Sequence, residues 1–284
     1  MERLTAANDD SRMTGKLKSR LKEASIKPDE PVIFALDTSS KVTGMAIALG
    51  DKMIKSLSIP ADEKRSERLW LDVRALLDEA GKTIEEVNLF GVCIGPGGFT
   101  GLRVGISAVK GFAAAIGKPI AGVTSLEAAA FSAKGANAVC AMINAYKGEV
   151  YSQLFKLDRE GAPVAVNAPL VSTSTKALER VANLDAVTFV GDGAIESAQI
   201  IRELGGDRFR ESDEAEKSRA GWRIDVASEP VADGIARLSY LKFVRGETDS
   251  SEGLKAFYVR PAEAEMKLSL GLLGSKIQKS LKAQ

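Results

Sequence analysis

Four glycines and one proline lie within residues 95–101, directly after an apolar run that ends at Ile94. Such a turn either cradles an anion or lets two protein surfaces pack closely, because glycine tolerates close backbone approach. No Gly-Lys-Ser/Thr follows, and Thr100 stands where G-x-G-x-x-G needs its third glycine. The sequence therefore favours close packing over phosphate binding. The glycine turn comprises Gly95, Pro96, Gly97, Gly98, Thr100, Gly101 and Arg103.

A second polar cluster, Asp37-Thr38-Ser39-Ser40, follows the apolar run at residues 32–36. An aspartate there can hold hydrated magnesium, and the hydroxyls can reach phosphate. The alternative is a turn capped by its own side chains. Asp192, between Gly191 and Gly193, is a weaker candidate of the same kind. Asp37, Thr38, Ser39 and Asp192 are therefore candidates for a vestigial nucleotide and magnesium site.

The chain contains no histidine. This excludes a Ser-His-Asp triad, a Cys-His pair and every zinc site that uses histidine. Any catalysis would have to rest on carboxylates, lysines, backbone dipoles or a metal held by oxygen atoms. Cys93 and Cys140 each lie in an apolar strand-like run, which predicts two buried thiols rather than a disulfide.

The composition is that of an ordinary globular protein, with 284 residues, 45% of them hydrophobic and 27% charged. A formal net charge of +1 creates no global field toward nucleic acid or membrane. We find no apolar run near the roughly 18 residues that span a bilayer, and no signal-peptide pattern. The sequence therefore predicts a cytoplasmic protein without a membrane partner.

The elements that must position these residues follow the order β-β-β-α-β-α-β-α within the first part of the chain. This order predicts one lobe of the actin-like, sugar-kinase-like ATPase (ASKHA) fold, an α/β fold with a mixed sheet flanked by helices. A similar order recurs after residue 136, which predicts a duplicated fold of two lobes. We assign residues 1–30 to a mobile extension, 31–135 and 136–265 to the two lobes, and 266–284 to a basic tail.

The predicted helix at residues 100–116 is apolar nearly all round, which indicates burial on more than one side. The two interpretations are a central helix covered by the same chain and a subunit interface where small residues allow close approach. Together with the apolar stripe of the preceding helix, the interface interpretation selects these contact residues: Leu69, Trp70, Val73, Val104, Ala108, Gly111 and Ala115.

These pieces together resemble the TsaB (YeaZ) family of bacterial tRNA threonylcarbamoyladenosine biosynthesis proteins. The glycine turn with its helix carries the resemblance most specifically, and the match extends over roughly residues 32–266. The supporting segments are residues 34–39, 66–69, 122–128, 147–151 and 257–261, followed by Ala264-Glu265.

The resemblance implies a non-catalytic scaffold of the complex that transfers a threonylcarbamoyl group to the adenosine beside the tRNA anticodon. It implies pairing, through helices of the first lobe, with a catalytic paralogue, TsaD, whose His-x-x-x-His metal site this chain cannot supply. A small ATPase, TsaE, would join, and tRNA would be contacted through the complex. The resemblance implies no tightly bound cofactor. It leaves open both homodimerisation and binding of ATP and magnesium at the assembled complex.

The sequence departs from the family pattern at Arg65, where histidine is usual, and in the hairpin Asn144-Ala145-Tyr146-Lys147, which is commonly Asp-Ala-Arg-Arg. Two rival hypotheses remain. One is an independent kinase dependent on ATP and magnesium, with Asp37 holding the metal. The other is a glycoprotease-type hydrolase, for which we identify no nucleophile and base.

Overall fold

The computed structural model describes residues 30–60, 65–211, 220–226 and 231–260. Contacts divide the chain into Met1–Pro31 and Val32–Gln284, and the description below concerns the second unit. The predicted mobile extension, apart from its last residue, and the predicted basic tail lie outside the described residues.

The first sheet has five strands in the order β3-β2-β1-β4-β5. β1 is antiparallel to β2, whereas β1, β4 and β5 run parallel. Every residue of β1 is buried, as a central strand covered on both faces requires. The strands are β1 Val32–Asp37, β2 Val42–Leu49, β3 Lys52–Pro60, β4 Leu89–Gly95 and β5 Ile120–Thr124.

The second sheet has six strands, of which five follow the order β11-β10-β6-β7-β8, while β9 pairs with β7. β6 is antiparallel to β7 and parallel to β10, and β10 is parallel to β11. The strands are β6 Val139–Tyr146, β7 Glu149–Leu157, β8 Pro163–Ala165, β9 Leu170–Thr173, β10 Val187–Val190 and β11 Trp222–Asp225.

Helices flank both sheets. The described α-helices are α1 Arg65–Glu79, α2 Phe99–Ile116, α3 Ser125–Phe131, α4 Ser174–Glu179, α5 Asp192–Glu196, α6 Ala198–Gly205 and α7 Val231–Val244. Gly117 ends α2 in the left-handed conformation, with a φ of 65°. Thr124 and Glu127 form a reciprocal capping box that starts α3.

The two sheets share one topology. In each, the first strand pairs antiparallel with the second and parallel with a later strand, and a fifth strand extends the parallel edge. This confirms the duplicated actin-like fold expected from element order. β11 completes the second copy of this topology. The sequence did not predict this strand, because Trp222–Asp225 is only four residues long and too short to show an alternating pattern.

Helix α7 corrects the lobe assignment. It packs on β1, β2, β4 and β5 of the first sheet, with Ala232, Ile235 and Ala236 fully buried. The sequence had placed this helix in the second lobe, because chain order alone does not show that it crosses back. Helices α1 and α2 cover the opposite face of the first sheet.

Helix α2 also corrects the expectation about membrane-spanning length. It has 18 residues with a mean hydropathy of 1.3, so length and composition alone would let it cross a bilayer. A core helix passes the same test, and α2 packs through Leu102, Ile106, Val109 and Ala113 into the core of the first sheet. This is weak evidence for a membrane span.

Candidate functional site

The glycine turn packs directly on the turn that follows β1. The Gly98 N–H donates to the Ser39 carbonyl at 2.7 Å, and the Thr38 hydroxyl donates to the Gly101 carbonyl at 2.6 Å. A side chain at Gly97 would place its Cβ 2.8 Å from both Cβ and the carbonyl oxygen of Ser39. Backbone here touches backbone, so glycine is needed for close approach.

A C-terminal segment, residues 249–260, runs from the start of β5, where Asp249 and Ile120 exchange backbone hydrogen bonds, to the same turn; we call it the strap. The Phe257 N–H donates to the Ile94 carbonyl at 2.7 Å. Gly95 has a φ of 109°, and a Cβ there would lie 2.7 Å from the Phe257 carbonyl oxygen. Both the positive φ and the strap therefore require glycine at position 95. The Gly95–Pro96 peptide bond is cis.

The strap also joins the two halves of the fold. Lys110 of α2 donates to the Leu254 carbonyl at 3.2 Å, and the rings of Phe99 and Tyr258 lie 5.4 Å apart. Arg260 forms an ion pair of 2.7 Å with Glu149, the first residue of β7. The strap thus connects α2, the glycine turn and the second sheet.

Asp37 ends β1 and is almost fully buried, with 2% of its surface exposed. Its Oδ1 accepts hydrogen bonds from the Ser39 N–H at 2.8 Å and the Ser39 hydroxyl at 2.6 Å. Burial raises the pKa of the Asp37 carboxyl, despite the hydrogen bonds from Ser39 that lower it. Burial also raises the pKa of the neighbouring Cys93 thiol well above its ordinary value. This is the geometry of a turn capped by its own side chains.

A cavity of about 470 Å³, the inter-sheet cavity, lies at the carboxyl ends of β1, β4, β6 and β10. Ligands of open α/β sheets bind in crevices at such ends. Of the candidate nucleotide residues, Asp37, Ser39 and Asp192 line the cavity. Thr38 is used in the bond to Gly101 instead.

The second sheet contributes a small polar network to the cavity wall. The Asn144 N–H donates to Asp192 Oδ1 at 3.0 Å, and Asn144 Nδ2 donates to Glu196 Oε2 at 2.5 Å. Lys41, from the first half of the fold, lies 3.9 Å from Glu196 Oε1. The network ties the end of β6 to α5, the helix that follows β10, and includes one contact across the cavity. Tyr146 and Lys147 have positive φ values of 62° and 55° in the hairpin that departs from the family pattern.

The residues selected for a partner interface divide into buried, exposed and partly buried groups. Leu69 and Val73 are 5% and 0% exposed. They lie on the face of α1 that packs into the core, so they cannot contact a partner directly. Their helical spacing marked the buried stripe rather than an interface. Trp70 is 49% exposed, and Gly111 and Ala115 of α2 are exposed.

Val104 and Ala108 have intermediate exposure, because both side chains pack partly against the core of the first sheet. Two residues that the sequence analysis did not select complete the exposed face. Leu71 is 62% exposed, and the Phe112 ring lies 5.4 Å from the Trp70 ring. We call Trp70, Leu71, Gly111, Phe112 and Ala115 the α1–α2 face. The sequence pattern that could have indicated this face is the pair Trp70-Leu71, two large apolar residues next to the buried residue Leu69.

The fold and the cavity at the strand ends define the class: an actin-like α/β protein with two topologically equivalent sheets. The family model for TsaD, tRNA N6-adenosine threonylcarbamoyltransferase, matches residues 59–194. A solved structure, YeaZ from Pseudomonas aeruginosa, is 26% identical with a TM-score of 0.64. That alignment covers 81% of this chain and 100% of the other.

Curated relatives agree. The tRNA threonylcarbamoyladenosine biosynthesis protein TsaB of Bacillus subtilis (strain 168) is 30% identical over 125 residues, covering 44% of this chain and 55% of the relative. TsaB of Escherichia coli (strain K12) is 30% identical over 132 residues, covering 45% and 57%. This chain is therefore similar to proteins of the TsaB/YeaZ family, and it spans about half the length of the curated relatives it matches.

Proposed function

We propose that this protein is a non-catalytic subunit of the complex that forms threonylcarbamoyladenosine in tRNAs reading codons that begin with A. It would act by pairing through the α1–α2 face with a catalytic threonylcarbamoyltransferase. The observation that carries the proposal is this exposed apolar face, where Trp70 is 49% exposed and Leu71 is 62% exposed. Exposed tryptophan is enriched at the centres of protein interfaces.

The absence of histidine supports a non-catalytic role. The family model named for the transferase covers just under half of the chain. A transferase of Clostridium botulinum (strain 657 / Type Ba4) is 33% identical over 96 residues, so the likeness to the catalytic paralogue is limited to one part of the chain. The family resemblance assigns the catalyst a metal held by histidines, and this sequence has none. Among the described residues, no three His, Cys, Asp or Glu side chains cluster for metal binding.

The proposal includes further partners and a location. We propose that a small ATPase of the TsaE type joins the assembly, that tRNA is contacted through the complex, and that the protein acts in the cytoplasm. The surface of α2 supports the pairing step, because a Cβ added at Gly111 would meet nothing within 4 Å. A partner helix can therefore approach the α2 backbone closely there.

The pairing test uses two matched substitutions. Ala115→Glu places a charge on the α1–α2 face, and Ala182→Glu places the same charge at an exposed position after α4. We expect Ala115→Glu to abolish co-purification with the catalytic subunit, while Ala182→Glu and the thermal stability of both variants stay unchanged. Equal co-purification of the two variants would contradict the proposed face. Ala108 is a poorer test position because it packs against the core.

The kinase alternative has one observation in its favour, since Asp37 and Asp192 line the same cavity. The donor set, however, does not fit magnesium. Asp37 Oδ1 already accepts two hydrogen bonds from Ser39. Burial raises the pKa of the Asp37 carboxyl, which disfavours the charged form that would bind magnesium. Calorimetry with ATP and magnesium on the isolated chain tests this alternative. Tight binding that is lost in Asp37→Ala would favour the kinase.

A further inference from the structure

Two adjacent aromatic residues of the strap are exposed to solvent. Phe257 is 36% exposed and Tyr258 is 40% exposed. The Tyr258 ring lies 5.4 Å from the Phe99 ring of α2, and the two ring planes are inclined by 33°. The Arg103 guanidinium lies over the same Phe99 ring, with its central carbon 3.9 Å from the ring centroid. Planar groups of the strap and of α2 therefore meet at one surface, the aromatic patch, which comprises Phe99, Arg103, Phe257 and Tyr258.

The charge beside the aromatic patch is positive. Arg103 is exposed, and so is Lys255, three residues before Tyr258. Within the described part of the chain, neither cation forms an ion pair with a carboxylate. Glu149 is paired with Arg260 at 2.7 Å, so its negative charge is compensated. Two cations beside the rings are therefore available to an anionic partner.

The acidic residues of the strap belong to its other end. Asp249 and Glu252 precede Lys255 in the chain. Asp249 exchanges backbone hydrogen bonds with Ile120 at the start of β5, whereas Phe257 bonds Ile94 at the end of β4. Because β4 and β5 are parallel, these two contacts lie at opposite ends of the sheet. The strap thus separates its carboxylates from the aromatic patch.

The apolar part of this surface is aromatic rather than aliphatic. The large apolar side chains that the strap exposes are Phe257 and Tyr258, and α2 exposes no large aliphatic side chain. The α1–α2 face differs, because it includes Leu71 with 62% of its surface exposed. Flat rings beside unpaired cations fit a partner that alternates flat groups with negative charges. The bases and phosphates of a nucleic acid have that arrangement.

The rings also select the form of the nucleic acid. In a double helix the bases stack on one another, so their flat faces are covered and only their edges are accessible. Bases of a single strand can instead stack on tyrosine or phenylalanine rings and on arginine guanidinium planes. An exposed ring such as that of Tyr258 therefore favours unpaired nucleotides.

We propose that the aromatic patch binds single-stranded RNA, with unpaired bases stacked on the rings of Tyr258 and Phe257 and phosphates beside Arg103 and Lys255. The choice of RNA rests on the proposed function, in which the complex acts on tRNA. The contact is direct, so it deepens that function and adds a surface distinct from the α1–α2 face.

Fluorescence anisotropy of the full chain, without any partner subunit, tests the proposal. The probe is a fluorescein-labelled uridine oligomer of about eight nucleotides, the length of one single-strand site. We expect a Kd on the order of 10⁻⁵–10⁻⁴ M at about 50 mM salt, as a few phosphate contacts allow. An RNA duplex of about 16 base pairs should bind at least about fivefold more weakly despite its higher charge, because it cannot stack on the rings. Duplex binding as tight as that of the oligomer would overturn the proposal, and so would no oligomer binding up to about 1 mM chain.

Substitutions of aromatic residues locate the stacking contact. Tyr258→Ala should weaken oligomer binding about tenfold, whereas Tyr258→Phe keeps the ring and should bind within about twofold of the unmodified chain. The matched control is Phe243→Ala. Phe243 is 38% exposed, but it belongs to α7, on the other face of the first sheet from α2. Equal losses in Tyr258→Ala and Phe243→Ala would refute the assigned position.

Substitutions of arginines separate charge from stacking. Arg103→Gln should reduce the slope of log Kd against log salt by about 0.7, the value for one phosphate contact of a single strand. The control is Arg74→Gln on α1, where the side chain is 72% exposed and the slope should not change. An unchanged slope in Arg103→Gln would contradict the phosphate contact.

Co-purification with the catalytic subunit distinguishes an RNA surface from a protein surface. Tyr258→Ala should co-purify normally, and Ala115→Glu should lose pairing while it keeps oligomer binding. Loss of co-purification in Tyr258→Ala with unchanged oligomer binding would assign the aromatic patch to a protein partner and refute the proposal. Because the binding assay contains no partner, its failure leaves the pairing proposal intact.

Discussion

Two glycines on α2 should respond to the same substitution with opposite signs. Gly105 and Gly111 lie in the interior of one helix, where alanine is favoured over glycine by roughly 0.5–1 kcal/mol. A Cβ at Gly111 meets nothing within 4 Å, whereas one at Gly105 would lie well inside 3.0 Å of the Thr38 hydroxyl. That hydroxyl is part of a buried turn and donates to Gly101.

The magnitudes follow from these contacts. Gly111→Ala should raise the free energy of unfolding by about 0.5–1 kcal/mol, the gain in helix propensity alone. Gly105→Ala has the same gain, but overpacking costs about 1–3 kcal/mol and the displaced Thr38 bond about 1 kcal/mol. We therefore expect a net loss of about 1–3 kcal/mol. For a domain of this size, in which 1 kcal/mol shifts Tm by about 2 °C, the two variants should differ in Tm by roughly 3–8 °C.

Urea denaturation and thermal melting of both variants measure the difference, and a double mutant identifies its cause. Thr38→Ala in the Gly105→Ala background removes the clashing atom, so it should recover part of the loss and show a coupling energy. Equal stability of Gly105→Ala and Gly111→Ala would refute the reasoning. It would mean that the glycine turn and the β1 turn are not in the close contact described here.

Three further outcomes are expected. Because burial raises the pKa of Asp37, the folded chain holds a proton that the unfolded chain has lost between the ordinary and the raised pKa. Stability should therefore fall as pH rises through that window, and Asp37→Asn should remove the fall, as urea denaturation at acid and neutral pH can check. Cys93 and Cys140 should react with a thiol reagent only after unfolding, because both are buried and the pKa of the Cys140 thiol is raised to about 12. Gly95→Ala should lower Tm by several degrees, since the positive φ and the Phe257 carbonyl both oppose a side chain. An unchanged melting curve for Gly95→Ala would show that neither the positive φ nor the Phe257 carbonyl opposes a side chain at this position.

Much of the fold could be predicted because its signals are local. Strand β1 is a continuous apolar run, and α2 ends at a glycine followed by Pro119, so both were predicted within two residues of their observed bounds. Strands β8 and β11 were missed, since segments of three and four residues carry no readable period. The position of α7 on the first sheet depends on a long-range crossing that no local pattern encodes.

The candidate site also contains features that local sequence signals predicted and features that they did not. Close packing of the glycine turn was predicted from failed nucleotide spacing, and the contacts with Ser39 agree with it. Leu69 and Val73 were assigned to an interface because helical spacing marks apolar faces without saying which of them is covered. The strap was not predicted, because its aromatic residues contact α2 and the glycine turn from more than 140 positions away in the chain.

Reconstitution of tRNA modification tests the central claim most directly. The chain, the catalytic threonylcarbamoyltransferase subunit and the small ATPase are combined in all pairs and together, each mixture receives tRNA, ATP and an activated threonylcarbamoyl donor, and the modified nucleoside is measured by mass spectrometry after digestion of the tRNA. We expect no product from this chain alone, product from the full mixture, and loss of product when Ala115→Glu replaces the unmodified chain. Product from this chain alone, or full product without it, would contradict a non-catalytic subunit that acts by pairing.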